Sequence, residues 1–401
     1  MSFGENKMKQ ILPKMEILDK VISFAKKCFT KPQFAHFREY LGGLITLQHK
    51  SVSSIAAASV TQHDQSSLNR FLTCSDWSME ALQDRYLGKV RHAFNREKAS
   101  LIIDDSLSKK TGKHMAETQY HKDHSGEGYI FGHQIVTALV KAREKVFPLF
   151  PKLYSKKTQS KIEFAKELIN LADEKLPLNE VIMDSWYTAT EIIKLCLKKK
   201  LDVIGCIKSN RKVSFVLEKW KECEWVKLSA HYKKLKKKDF TVHIIDDGTY
   251  RIHEKIVRLK HIGFVKLLIS QEWISGEKKW SRPFYLISTN TKKSAMQIIR
   301  TYANRWSIET FHRDIKQNLG LEAYMLRGRK GITRHLILVA LAYAVLKFWM
   351  NLQNVMWAIG EAIRYIQCRL FDDLIITIVE ENNIEERWKL AEPFISRIAK
   401  V

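Results

Sequence analysis

The sequence predicts an α/β protein whose central part is a mixed β-sheet, with helical regions before and after it. Three observations support this fold class. Short apolar runs that end in carboxylates alternate with helical segments over residues 99–210, a β-rich stretch follows over 211–287, and the flanking segments have helical periodicity. Hydrophobic residues make up 45% of the 401 positions, which suits two or three folded domains.

Residues 1–95 are expected to be helical and basic. Two short helical segments, 53–59 and 65–72, flank a polar turn at 61–64. This is the outline of a helix-turn-helix in which Arg70 is available to reach DNA, although any small helical domain can show such a pair. The region is therefore a candidate DNA-binding region.

Residues 99–210 are predicted to form the first part of the central sheet. The strands fall at 100–105, 129–140, 146–149, 180–184 and 202–208, and the helices at 161–174 and 189–199. Three strands, a helix, a strand, a helix and a strand are the order of an RNase H-like mixed sheet. In that topology the first and fourth strands are neighbours, so carboxylates at their ends converge.

A β-rich insertion is predicted over residues 211–287, with a hairpin turn at 246–248, a second turn near Gly276 and a basic run at 233–238. The insertion also contains several tryptophans: Trp220, Trp225, Trp273 and Trp280. Residues 288–325 are then assigned to a core helix, and 326–401 to a helical C-terminal region. The apolar run 336–350 falls short of the roughly 20 residues that span a bilayer, so we expect a buried helix and no membrane partner.

Charge indicates the kind of partner. Lys and Arg outnumber Asp and Glu by 68 to 43, a formal net charge of +25. This surplus favours a polyanion, but it does not separate DNA from RNA or from anionic lipid. The six cysteines form no CxxC pair, and reduced thiols suit a cytoplasmic setting.

The most informative segment is 302–319, predicted as one helix. At about 100° per residue, four polar residues fall on a stripe about 60° wide. They are Tyr302, Arg305, Glu309 and Lys316. A separate apolar face is suited to core packing: Ile308, Phe311, Ile315 and Leu319. The alternative is an ordinary charged, solvated face.

Three carboxylates stand where metal-dependent phosphodiester chemistry needs them: Asp105 or Asp104 closing the first strand, Asp184 closing the fourth, and Glu309 on the late helix. Two Mg²⁺ ions held by such carboxylates stabilise charge on the attacking and leaving oxygens. Because neighbouring strand residues point to opposite faces, Asp104 and Asp105 cannot both face the metals.

Residues 100–320 resemble the catalytic core of DDE transposases of bacterial insertion sequences. The resemblance rests on Asp105 before Ser106, on Asp184 at the end of an apolar strand, and on the Y-(2)-R-(3)-E-(6)-K spacing that begins at Tyr302. It is to the branch with a β-rich insertion before the glutamate helix. It implies an RNase H-like fold, with Asp105 preferred over Asp104 as the first acid. Asp105, Asp184 and Glu309 are then the catalytic residues and the ligands of two Mg²⁺ ions, with Mn²⁺ as a substitute.

The resemblance also implies partners and roles. The partners are the terminal inverted repeats of a mobile element and a target DNA, bound by a homodimer beside the nucleoid in the bacterial cytoplasm. The chemistry is nicking that frees a 3′-OH, followed by strand transfer. Arg305 and Lys316 hold phosphates, Tyr302 bonds a phosphate or packs in the core, and Trp306 either stacks on a base or is buried. An insertion tryptophan is a further candidate for contact with a flipped base.

Two other functions remain open. One is a non-catalytic DNA-binding repressor derived from such an enzyme, which the intact acidic set argues against. The other is an RNase H-like nuclease that cuts without joining strands. Joined DNA products discriminate the nuclease from the transposase.

Overall fold

The computed structural model describes residues 16–391 apart from 60–63, 113, 123–125, 127, 217–222, 246–247, 381, 386 and 389–390. The α-helices of these residues are α1 (Glu16–Ile22), α2 (Lys31–Thr46), α3 (Val52–Ala58), α4 (Gln65–Thr73), α5 (Met79–Phe94), α6 (Lys161–Lys175), α7 (Thr190–Lys198), α8 (Leu228–Tyr232), α9 (Ala295–Ala303), α10 (Trp306–Gln317), α11 (Arg329–Gln353) and α12 (Ile359–Glu380). Short 3₁₀ segments lie at Ser23–Cys28, Lys237–Asp239 and Ser275–Glu277.

The strands are β1 (Ala99–Lys109), β2 (Gln119–Lys122), β3 (Tyr129–Ala142), β4 (Lys145–Pro148), β5 (Lys152–Tyr154), β6 (Leu178–Met183), β7 (Asp202–Cys206), β8 (Lys212–Ser214), β9 (Val226–Lys227), β10 (Thr241–Ile245), β11 (Gly248–Leu259), β12 (Gly263–Ile274), β13 (Lys279–Trp280) and β14 (Phe284–Ser288). Among the described residues ten of them follow one another in a mixed sheet in the order β2-β3-β1-β6-β7-β14-β12-β11-β8-β9. The other four pair beside this path: β4 and β5 with β3, β10 with β11, and β13 with β12.

The core of the sheet has the predicted RNase H-like order. β1 pairs antiparallel with β3, β3 pairs with both β4 and β5, and β1 and β6 run parallel, as do β6 and β7. β1 and β6 are buried along their apolar residues, because helices cover both faces of this part of the sheet. The carboxyl end of β6 therefore lies beside β1, where Asp184 follows directly.

The insertion extends this sheet. β14 pairs antiparallel with β7, with Ile287 opposite Gly205, and β12 and β11 follow outward. The predicted β-rich texture is confirmed for the described part of the stretch. Of the predicted hairpin turn at 246–248, residues 246–247 lie outside the described residues, as does Trp220, and Gly248 begins β11.

The helix that carries Glu309 is fixed by its apolar face. Ile308, Phe311 and Ile315 are fully or nearly fully buried, and the Phe311 ring meets Tyr343 of α11 edge-on at 4.9 Å. α11 itself is long and apolar enough to cross a membrane, but 83% of its most apolar window is buried inside the protein. This confirms the prediction of a buried helix, against which α10 packs.

The N-terminal region is helical over α1–α5. On α4 the residues Leu68, Phe71 and Leu72 are buried, while Arg70 is exposed. Arg334 of α11 donates to the carbonyls of Phe71 and Leu72 at 3.2 and 3.3 Å, which anchors the end of α4 to the core. The predicted turn between α3 and α4 lies largely outside the described residues, and DNA contact by this pair stays a prediction.

Candidate active site

The two consecutive aspartates of β1 point to opposite faces of the sheet. Asp104 is paired with Thr137 of β3, and the Thr137 hydroxyl lies 2.7 Å from Nε2 of His312 on α10. Because directly paired residues of a ladder share a face, Asp104 faces α10 and Asp105 faces away from it. The structure brings Asp104, rather than the preferred Asp105, to the face that carries Glu309.

A single guanidinium connects Asp104 with Glu309. Arg305 donates from Nη1 to Asp104 Oδ2 at 3.4 Å and from Nη2 to Glu309 Oε1. The Asp104 side chain is 21% exposed and that of Glu309 35%, so both remain open to solvent and to a ligand. Two carboxylates from distant parts of the chain therefore meet at one arginine.

Partial burial and two neighbouring carboxylates both act on Asp104. Its pKa is raised to about 7, first by burial and then by the carboxylates of Asp184 and Asp105. The Asp105 backbone N–H, which donates to Asp104 Oδ1 at 2.8 Å, and the Arg305 charge lower this pKa but do not offset the rise. A bound cation would relieve the repulsion between these acids.

Asp184 is held by the turn that follows β6. The backbone N–H groups of Trp186 and Tyr187 both donate to Oδ1, at 2.9 and 3.0 Å. The backbone N–H of Thr188 donates to the Asp184 carbonyl at 3.1 Å. A side chain at Gly205 would place its Cβ 2.4 Å from the Thr188 hydroxyl, so β7 needs glycine where this turn packs.

Asp105 has a different set of partners. Lys161, the first residue of α6, forms an ion pair with Asp105 Oδ1 at 3.1 Å, and the Tyr187 hydroxyl donates to the same oxygen at 3.0 Å. The Gln134 amide donates to Oδ2. The Lys161 ammonium also lies 4.1 Å from the centre of the Trp186 ring. Asp105 is thus neutralised and hydrogen-bonded on the α6 side of the sheet.

The prediction of one continuous helix through 302–319 is wrong. α9 ends at Ala303 and α10 begins at Trp306, with Asn304 and Arg305 between them. Tyr302 therefore belongs to a different helix from Glu309, although Arg305 and Glu309 keep their one-turn contact. Tyr302 is partly buried, its ring lies 5.6 Å from that of Phe284 on β14, and burial raises its pKa.

The other predicted DNA contacts lie at the surface. Trp306 is 67% exposed, so the alternative that its ring is buried in the core is wrong. Lys316, at the far end of α10, is exposed and borders a groove of about 580 Å³ whose other side includes Lys50 and Ser51. Arg70 is exposed on α4, with Nη2 3.5 Å from the Ser67 hydroxyl.

The acids suit a hard divalent cation. Asp104 and Asp184 raise the local negative potential, and carboxylate oxygens are the ligands that Mg²⁺ and Mn²⁺ prefer. Within the described part of the chain, however, no three Asp, Glu, His or Cys side chains are already gathered closely enough to hold one ion. Glu309 is paired with Arg305 through Oε1.

Sequence reasoning missed the residues that surround the acids. His312, one turn after Glu309, is half-buried, and loss of contact with water lowers its pKa to about 3, so it is neutral where it meets Thr137. Its position three residues after Glu309 on the same predicted helix is a signal from which its place near the acids could have been inferred. Lys161, Tyr187 and Gln134 come from three separate elements, and nothing in their local patterns indicates that they meet at Asp105.

The strand order of the sheet is that of the RNase H-like fold class, and comparisons with known proteins identify the family. Residues 96–345 match the family described as the transposase DDE domain, and residues 26–138 match the DDE superfamily endonuclease family. The first match spans more than half of the chain, and the protein belongs to the DDE transposase family.

Individual relatives are distant. "Putative transposase y4zB" of Sinorhizobium fredii is 28% identical over 109 residues, which are 27% of this chain and 31% of that protein. A piggyBac transposase synaptic complex with hairpin DNA is similar at 11% identity with a TM-score of 0.49, covering 96% of this chain and 85% of that one. Endonuclease V of Ciona intestinalis, solved with an inosine-containing DNA, gives 13% identity and a TM-score of 0.26, covering 58% and 98%.

Proposed function

We propose that this protein is a transposase that binds the terminal inverted repeats of a mobile DNA element, cuts the DNA at the element boundary and joins the freed 3′ end to a target. The observation that carries the proposal is the meeting of Asp104, Asp184 and the Arg305–Glu309 pair at one edge of the sheet in a DDE-family chain. These groups come from the middle of β1, the turn after β6 and the start of α10. The first strand does not end at 105, as predicted, but continues to Lys109. Strands and packed helices hold such groups more firmly than loops do.

Asp104, Asp184 and Glu309 are the proposed ligands of Mg²⁺ or Mn²⁺. Two ions held there would activate the attacking group at neutral pH and stabilise charge on the attacking and leaving oxygens. Asp104 replaces Asp105 in this set because it shares the face of α10, whereas Asp105 is engaged with Lys161 and Tyr187. Asp184 keeps its second oxygen available, since both turn N–H groups bind Oδ1.

Arg305 has a second role once metal is present. If Glu309 and Asp104 turned to a cation, the Arg305 guanidinium would be free to hold a phosphate beside the cut through paired N–H donors. Trp306 precedes Glu309 by less than one turn and is exposed, which suits stacking on an unpaired base at the strand end. Lys316 and Arg70 are the proposed contacts to phosphates farther along the duplex.

The charge of the whole chain fits this substrate. A net charge of +25 draws the protein to DNA and makes its binding strongly dependent on salt. The proposal includes a homodimer that assembles on paired element ends in the bacterial cytoplasm. Dimerisation is tested by sedimentation of the protein with and without end DNA.

The deciding experiment incubates the purified protein with the terminal DNA of its own element in Mg²⁺ or Mn²⁺, beside the Asp184→Asn variant and a plasmid target. We expect metal-dependent nicks at the element boundary that the variant lacks, followed by joined products. Nicks without joined molecules favour a nuclease, and specific binding without any cut favours a repressor. Absence of specific end binding contradicts the proposed substrate.

A further inference from the structure

The second aspartate of the Asp104–Asp105 pair is tied to the turn that carries Asp184. Tyr187 belongs to that turn, and its hydroxyl donates to Asp105 Oδ1 at 3.0 Å. The same oxygen accepts an ion pair from Lys161 at 3.1 Å. Lys161 and Asp105 are only 12% and 16% exposed, so water does little to weaken this contact.

Both aromatic residues of the turn are held by this pair. Lys161 places its ammonium 4.1 Å from the Trp186 ring, and Tyr187 reaches Asp105 directly. The two rings meet each other edge-on, with centres 4.9 Å apart. The side chains at 186 and 187 are thus fixed to β1 and α6 through one ion pair.

The backbone of the same two residues fixes Asp184. The N–H groups of Trp186 and Tyr187 donate to Asp184 Oδ1 at 2.9 and 3.0 Å. A closed network therefore runs from the Asp105 carboxylate, through two side chains and their own backbone, to the Asp184 carboxylate. The side chains of Trp186 and Tyr187 are held by the Asp105–Lys161 pair, and the backbone N–H groups of the same residues bind Asp184. A shift of Asp105 is therefore expected to change the orientation of Asp184.

We infer that Asp105 is a positioning residue that orients Asp184 for its metal through Tyr187, Trp186 and Lys161. The inference rests on the proposed function, since it assigns a purpose to the second carboxylate beside the proposed ligands. The two adjacent aspartates thus have different roles. Asp104 faces the metal site, and Asp105 holds the turn that presents Asp184 to it.

The first test measures the turn itself, without metal or catalysis. Hydrogen exchange of a peptide that covers residues 183–190 is compared in the full-length wild type, Asp105→Asn and Tyr187→Phe. We expect the amides of Trp186 and Tyr187 to exchange at least about tenfold faster in both variants, since their acceptor is no longer held in place. A peptide from α11 serves as the control and keeps its protection.

The second test measures the consequence for the metal. Mn²⁺ binding is followed by electron paramagnetic resonance in the presence of end DNA. Asp105→Asn and Tyr187→Phe are expected to weaken Mn²⁺ binding about 10- to 100-fold, the effect usual for groups that orient a metal ligand. Asp105→Glu, which retains the charge, is expected to recover part of the affinity. Affinity for end DNA stays within about twofold of the wild type, because the network makes no proposed DNA contact.

Two results overturn the inference. One is unchanged exchange in the turn together with complete loss of Mn²⁺ binding in Asp105→Asn, which makes Asp105 itself a ligand. The other is wild-type exchange and wild-type Mn²⁺ affinity in Tyr187→Phe, a variant that removes one hydroxyl and leaves the buried ion pair intact. A wild-type chain that behaves as expected in both tests but does not cut DNA refutes the proposed function and leaves the positioning role standing.

Discussion

The two faces of the sheet at Asp104 and Asp105 of β1 are built from similar side chains but differ in their balance of charge. On the α10 face, Arg305 alone serves two carboxylates, and a third acid, Asp184, adds its charge to Asp104. On the α6 face, Asp105 has Lys161 as its own counter-ion and accepts hydrogen bonds from uncharged donors as well. The first face is left with unbalanced negative charge and the second is not. Only the first is therefore suited to take up cations, while the second is suited to rigid support.

The strongest test of this difference between the two faces is to neutralise Asp104 and Asp105 separately. Asp104→Asn should lower DNA cleavage by about 10³-fold or more, because it removes a proposed ligand and several kcal/mol of transition-state stabilisation. Asp105→Asn should lower it by about 10- to 100-fold, because it acts on a ligand only indirectly. Single-turnover nicking at one Mn²⁺ concentration, near that which half-saturates the wild type, measures both. A reversed order of the two effects would make Asp105 the ligand.

Glu309→Gln tests whether the α10 face works through its charge. The variant keeps the shape and hydrogen-bonding capacity of the side chain, so end binding and the circular dichroism spectrum should be retained while cleavage is lost. Glu322→Gln is the matched control, since Glu322 is exposed in the segment after α10. An unfolded spectrum for Glu309→Gln would instead assign Glu309 a structural role.

Arg305→Ala removes the group that joins the two acids. We expect cleavage to fall by about 10²-fold, in the range seen when one charge-stabilising donor is lost from an active site. The salt dependence of end binding should fall by about one unit of slope, as for one lost phosphate contact. Arg305→Lys keeps the charge but loses the paired N–H donors of the guanidinium. Its cleavage rate and salt slope should therefore lie between those of the wild type and Arg305→Ala. Wild-type cleavage and slope in Arg305→Ala would remove it from the site.

Trp306→Ala is expected to have the smallest effect of this series. Its ring is 67% exposed, so the melting temperature should not change. Loss of a base stack is worth about 1–3 kcal/mol, which predicts roughly tenfold weaker binding of ends with unpaired terminal bases. Fully paired DNA from inside the element is the control substrate, and Trp306→Phe should restore most of the affinity. A fall in melting temperature would show instead that Trp306 supports α10.

The sequence was most informative where a pattern is local. The strand order of the core, the acid at the end of β6 and the apolar face of α10 all follow from periodicity over a few residues, and the structure has each of them. The choice between Asp104 and Asp105 is different in kind. Strand alternation shows that they face opposite ways, but Leu101, Ile102 and Ile103 are all buried, so no solvent-facing side identifies the strand's two faces.

The partners of Asp105 were not predicted because they are long-range contacts. Lys161, Tyr187 and Gln134 lie 56, 82 and 29 residues from Asp105, and no short pattern predicts that they converge. The break between α9 and α10 was also missed. Asn304 and Arg305 both have helical backbone angles, so the interruption is slight, and neither proline nor glycine marks it in the sequence.

The pairing of β14 with β7 has a consequence for how the protein is made. β7 emerges from the ribosome with β6 on one side and nothing on the other, and its open edge is covered only after residues 284–288 arrive. A chain that stops within the insertion therefore presents an uncovered row of backbone donors and acceptors, the kind of edge through which proteins aggregate. Such a fragment also lacks Glu309, so under the proposed function premature termination is expected to yield a self-associating product without one of its proposed metal ligands.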